Sequence, residues 1–88
     1  MSELKSIRQQ IDEVDEQICA LLRQRMELTA QVAESKREGS IAILDEARER
    51  QVLERVTELC GGDYGADIYR TIMKCSRAQQ AQILGINE

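Results

Sequence analysis

The stretch LKSIRQQIDEVDEQICALLRQRMELTAQVAES, residues 4–35, decides the fold. Read in sevens from Leu4, its first and fourth positions are Leu4, Ile7, Ile11, Val14, Ile18, Leu21, Arg25, Leu28, Val32 and Ser35. That is the apolar seam of a helix, sustained for about five heptads. Arg25 interrupts it. A guanidinium does not lose its proton, so on a buried seam it must meet an anion or lift its head into water. No Pro breaks the pattern and the first Gly is Gly39, so the helix can run for about 35 residues, roughly 50 Å at 1.5 Å per residue. A compact chain of 88 residues has a radius of gyration of only about 12 Å. Such a helix overhangs its own fold, and the overhanging seam calls for a partner chain, most simply a second copy.

Composition narrows the function. With 42% hydrophobic residues and two Tyr as the entire aromatic complement, the core is aliphatic and offers no stacking platform for bases. A net charge of −4 argues against nucleic acid, whose phosphates need a basic face. Cys19, Cys60 and Cys75 form no CxxC pair and are odd in number, so they read as reduced small fillers rather than a disulfide framework. The chain has no His, which removes the usual transition-metal ligand sets and the imidazole-based nucleophile systems. We therefore expect no metal and no cofactor. The N-terminal MSELKSIRQQ lacks an apolar core and no apolar run approaches membrane-spanning length, so the expected location is the cytoplasm, with no membrane partner.

Taken in order, Ser2 is placed to cap a first helix over about residues 3–38. Gly39 to Leu44 suits an ordered loop. Asp45 then caps a second helix over about 45–60, striped by Val52, Val56 and Leu59 and stopped by Gly61-Gly62. A tight connection leads to a third helix over about 66–84, and Gly85 to Glu88 is expected to fray. There is no repeat and no strand-like alternation, so the expected architecture is all-α: one domain over 1–88 with three helices.

The third helix repeats the anomaly of the first. Its inward stripe, taken as Ile68, Ile72, Ser76, Gln79 or Gln80 and Ile83, places Ser76 and Gln80 where apolar residues belong. In the second, Asp45, Arg48 and Glu49 are neighbours at i, i+3 and i+4, readable as an ordinary charged first turn or as part of a site. The odd residues converge. Arg25 and Lys36 lie on nearly one face, roughly 16 Å apart along the axis, and a small polyanion fits between them. A third helix folded back on the first brings Ser76 and Gln80 to the same place.

Ile7-Arg8-x-x-Ile11-Asp12-x-x-Asp15, Leu21-Leu22-x-x-Arg25, Lys36, Asp45-x-x-Arg48-Glu49 and Ser76-x-x-x-Gln80 together resemble the small all-helical chorismate mutases, over residues 4–84. The resemblance implies a dimer of intertwined first helices that catalyses the Claisen rearrangement of chorismate to prephenate. That reaction needs no nucleophile, metal or cofactor. The protein holds a dicarboxylate in its chair-like conformer and stabilises charge developing on the breaking ether oxygen. By that resemblance Arg25 binds a substrate carboxylate, Lys36 and Gln80 donate to the ether oxygen, Glu49 and the Asp45 backbone fix the ring hydroxyl, Ser76 meets the ring carboxylate and Arg48 adds positive charge. Arg8 enters from the other chain. Arg8 and Lys36 are separated by roughly 42 Å of helix, so they cannot share a small-molecule site within one chain, whereas an antiparallel crossing near residues 17 to 20 brings Arg8 of one copy level with the Arg25 to Lys36 stretch of the other.

Two other readings compete. An isochorismate pyruvate lyase shares the fold, the arginines and the lysine, and fold alone does not choose the reaction. A non-catalytic helical dimerisation module would explain the seam without any site; it predicts that Arg25, Lys36 and Gln80 tolerate replacement by Leu.

Overall fold

The computed structural model describes residues 2–39 and 42–86. Among these residues the chain forms three helices and no strand: α1 Glu3–Gly39, α2 Glu46–Cys60 and α3 Tyr64–Leu84. Each boundary has a local cause. The Ser2 hydroxyl accepts from the Lys5 amide at 3.2 Å, and Asp45 caps α2 through Oδ1, which accepts from the Arg48 amide at 3.0 Å. Gly61, at φ 75°, takes the left-handed conformation that ends α2, while its own amide bonds back to Thr57 and Glu58. At the far end, Gly85 closes α3 in the same way and the Ile86 amide reaches the Ala81 carbonyl at 2.9 Å. Those two residues therefore complete a cap instead of fraying; residues 87 and 88 lie outside the described part, as do Ser40 and Ile41 of the loop after α1.

α1 is 37 residues long and sets the shape, 57 × 24 × 19 Å with a radius of gyration of 16.3 Å, against about 12 Å for a compact chain of this size. The fold is organised around α3, which packs against both α1 and α2. It runs parallel to α1, since Ser76 meets Arg25 and Gln80 meets Thr29, and antiparallel to α2, since Arg77 meets Glu49 while Gly65 lies against Val56.

α3 does not sit on the heptad seam. The best-covered α1 residues are Leu22, Arg25, Met26, Thr29, Ala30, Ala33 and Lys36, mostly a face beside the seam. The seam stays open along the whole helix, from Leu4 at 53% exposed through Ile18 at 47% and Leu21 at 63% to Val32 at 44%. The buried core proper is small: Ala33, Val56, Ala66, Met73 and Ala81. α3 also turns differently from the expected stripe. Ile68 is exposed, and the inward face is Gly65, Ala66, Tyr69, Met73, Ser76 and Gln80. No helix among the described residues is long and apolar enough to cross a membrane.

The α2–α3 corner depends on Gly65. A Cβ there would stand 2.8 Å from the Val56 carbonyl oxygen and 2.9 Å from Cys60 Sγ, and the backbone carbonyl cannot turn aside. Gly65→Ala is expected to lower stability by about 1–3 kcal/mol, the usual cost of overpacking. Urea denaturation should show it as a lower midpoint; an unchanged midpoint would mean that the two helices reseat freely.

Candidate active site

Six of the residues that the sequence singles out meet in one cleft between α1, α3 and the start of α2. Arg25, Lys36, Asp45, Glu49, Ser76 and Gln80 line it, together with Thr29, Ile43, Met73 and Arg77. Its cavity is about 100 Å³ and opens to solvent, smaller than the ~300–1,000 Å³ typical of small-molecule sites.

The site is built from helix register. Arg25 projects from α1 onto α3, where its Nη1 donates to Ser76 Oγ at 3.2 Å and its guanidinium lies 5.4 Å from the Tyr69 ring centroid, a favourable cation–π placement. The Ser76 hydroxyl accepts from Arg25 and can turn its own proton to the Ile72 carbonyl at 3.0 Å or to Met26 Sδ at 3.6 Å, so that proton is free to be redirected to a ligand. One turn on, Gln80 Nε2 donates to the Thr29 carbonyl at 3.1 Å. Ser76 and Gln80 are each only 5% exposed, and these bonds are what make their burial tolerable.

Two donors keep unused capacity. Lys36 Nζ donates to the Ile43 carbonyl at 2.5 Å, and an ammonium has three N–H groups; the Gln80 amide nitrogen has two. Each is therefore held by one bond while a further proton remains for a ligand. This is preorganisation in the literal sense: the donors' directions are set before anything binds.

The charges are unequal. Glu49 accepts from Arg77 Nη1 through both oxygens, at 2.7 and 2.5 Å, which neutralises that pair and ties α2 to α3. The Asp45 carboxylate is occupied as the helix cap. Among the described residues neither Arg25 nor Lys36 has a carboxylate at ion-pair distance. The cleft lining thus carries three cations against two carboxylates, with Arg25 and Lys36 outside any ion pair among the described residues, which suits an anionic ligand.

One expected member lies elsewhere. Arg48 is exposed and lines the adjoining groove with Arg25, Val52 and Tyr69, because a neighbour in sequence on a helix points about 100° away and Glu49 already faces the cleft. Arg8 stands exposed on the free half of α1. Conversely, sequence reasoning passed over Arg77, which shares a helix face with Met73 and Gln80, and Tyr69, one turn before Met73; that spacing was the available signal.

The fold is all-helical, and the cleft offers cations and donors suited to a small organic anion. Comparison with known proteins narrows this. Residues 7–81 match the family model described as chorismate mutase type II. A chorismate mutase of Methanocaldococcus jannaschii is 33% identical over 89 residues, covering 96% of this chain and 90% of the relative. A bifunctional chorismate mutase/prephenate dehydratase of Aquifex aeolicus is 32% identical over 91 residues, 94% of this chain and 25% of the relative. The solved structure of a conserved hypothetical protein from Pyrococcus furiosus matches with a TM-score of 0.80 and 32% identity, over 91% of this chain and 97% of the other. The chain belongs to the type II chorismate mutase family.

Proposed function

We propose that this protein converts chorismate to prephenate, a step in aromatic amino-acid biosynthesis by the shikimate route, in the cleft built on Arg25, Lys36, Glu49 and Gln80. The observation that carries the proposal is the pair of donors with unused protons, Lys36 Nζ and Gln80 Nε2, beside the Arg25 guanidinium. In the rearrangement the ether C–O bond breaks while a C–C bond forms in a chair-like array, and negative charge grows on the ether oxygen. Arg25 holds one carboxylate and Ser76 the ring carboxylate. Glu49, kept in place by Arg77, and the Asp45 backbone take the ring hydroxyl, and Arg48 strengthens the positive field from the adjoining groove. Lys36 and Gln80 donate to the ether oxygen, so their bonds strengthen as the barrier is climbed, whereas a carboxylate clamp binds ground and transition states more evenly.

The working unit is a homodimer in which the exposed seams of two α1 helices pair antiparallel and Arg8 of one copy completes the cleft of the other. Covering a half-exposed Leu or Ile is worth on the order of 1 kcal/mol, so the open seam from Leu4 to Val32 supplies the drive. Cys19, Cys60 and Cys75 are all exposed and free, which suits the reducing cytoplasm. Incubating the purified protein with chorismate and, separately, with isochorismate tests the reaction. Prephenate from the first is the expected product; salicylate and pyruvate from the second, with chorismate untouched, would sink it.

Sharing of the site has its own test. Arg8→Ala and Lys36→Ala homodimers should each be nearly inactive. After subunit exchange, half the dimers are mixed and one of their two clefts is intact, so activity should return to about a quarter of wild type. No return, with exchange demonstrated, would show that Arg8 does not act across the interface.

A further inference from the structure

Beside the cleft runs a second groove on the α2–α3 face, lined by Arg25, Arg48, Val52, Arg55, Val56 and Tyr69. Its floor is apolar and its rim carries three guanidinium groups. Arg48 and Arg55 are seven residues apart on α2, on one face and about 10 Å along the axis. Among the described residues neither is within ion-pair distance of a carboxylate. The free half of α1 has the reciprocal pattern. Arg8 and Asp15 are also seven residues apart, hence on one stripe, and Asp12, Glu13, Asp15 and Glu16 make this stretch the most acidic of the helix. All of it is exposed.

We infer that Arg55 is the anchor for the arm of the second copy: its guanidinium pairs with Asp15 of the partner subunit, and this contact seats Arg8 of the partner subunit over the cleft. The inference rests on the shared-site dimer proposed above. Its register comes from the fold. Arg25 touches both Tyr69 and Ser76 and shares the groove with Arg48 and Arg55, so the two α2 arginines flank the level of Arg25. α2 runs antiparallel to α1, which puts Arg48 toward the Lys36 end and Arg55 toward the free half. A crossing near residues 17 to 20 sets Asp15 of the partner subunit level with roughly residues 19 to 25 of this chain, and Arg8 of the partner subunit level with roughly 26 to 32. The acid thus falls at Arg55, while Arg8 of the partner subunit falls at the cleft mouth. Arg55 is a positioning residue, since nothing in this arrangement brings it to the substrate.

Charge reversal tests this. Arg55→Glu and Asp15→Arg homodimers each set like charges against one another in both arm contacts, and each should dissociate about 10- to 100-fold more readily than wild type. Turnover at low protein concentration should fall in parallel, with normal kcat recovered at high concentration, and the defect should shrink as salt is raised. Mixing the two variants makes heterodimers in which both contacts are again between opposite charges. Sedimentation should show a preference for the mixed dimer and near wild-type activity. Reversals that leave dimer affinity unchanged, or a mixture no tighter than its parents, would overturn the assignment. If wild type itself is monomeric, or if Arg8→Ala and Lys36→Ala fail to complement, the shared-site reading falls and this inference with it; if those controls succeed, failure belongs to Arg55 alone.

Discussion

Lys36→Leu is expected to lower kcat by about a thousandfold or more while leaving the protein folded and dimeric. Removing one preorganised donor from a developing oxyanion costs about 10²–10³ in rate, and here a full positive charge is lost with it. The Lys36 ammonium is held in the cleft by the Ile43 carbonyl, so it needs no reorganisation as charge appears on the ether oxygen. Because the interaction is made mainly in the transition state, kcat and kcat/KM should fall together with little change in KM. Arg25→Ala should instead raise KM strongly, since a carboxylate clamp serves substrate and transition state alike. A dimerisation module predicts the opposite for Lys36→Leu, a neutral or stabilising change. Thermal unfolding and steady-state kinetics on one preparation separate the two.

The second large effect is a created pH dependence. Gln80 donates to the Thr29 carbonyl and is 5% exposed. Gln80→Glu leaves a side chain that can donate only when protonated. A carboxylate there would face the Thr29 carbonyl oxygen and the developing negative charge, so at pH 8 turnover should drop by about a hundredfold or more. Burial and the facing carbonyl both favour the neutral acid, which raises the introduced group above the ordinary ~4.3 of glutamate. The active form is the protonated one, so activity should climb as pH falls toward about 5. Wild type, with an amide that does not titrate, should lack this rise. Wild-type rates for the variant at pH 8 would remove Gln80 from the ether oxygen.

What the sequence made legible was periodicity and its violations. The seam from Leu4 to Val32 announced a long helix because no Gly or Pro competes with it, and Arg25, Ser76 and Gln80 were visible because a polar residue on an apolar stripe must be satisfied somewhere. The pattern does not say which chain covers an apolar face. Leu21 and Ile68 look as inward as Met73 does, yet only Met73 is buried; α3 covers the face of α1 beside the seam, and the seam remains for another molecule. Arg77 offered only its helix spacing as a signal, for a related reason. It stands one residue past Ser76 among ordinary surface charges, and its value comes from the antiparallel packing that sets Glu49 opposite, a contact between residues far apart in the chain. Arg48 shows the limit of local spacing: adjacent to Glu49 in sequence, it faces a different groove.

Complementarity of the cleft to the transition state is measured by titration calorimetry with a rigid bicyclic ether dicarboxylate fixed in the chair geometry of the rearrangement. Wild-type protein should bind that analogue at least about 100-fold more tightly than the product prephenate, as expected for a site matched to the transition state. Lys36→Leu should lose most of that difference. Equal affinity for analogue and product, or an analogue affinity indifferent to Lys36, would contradict the claim that the cleft acts by donors poised for the ether oxygen.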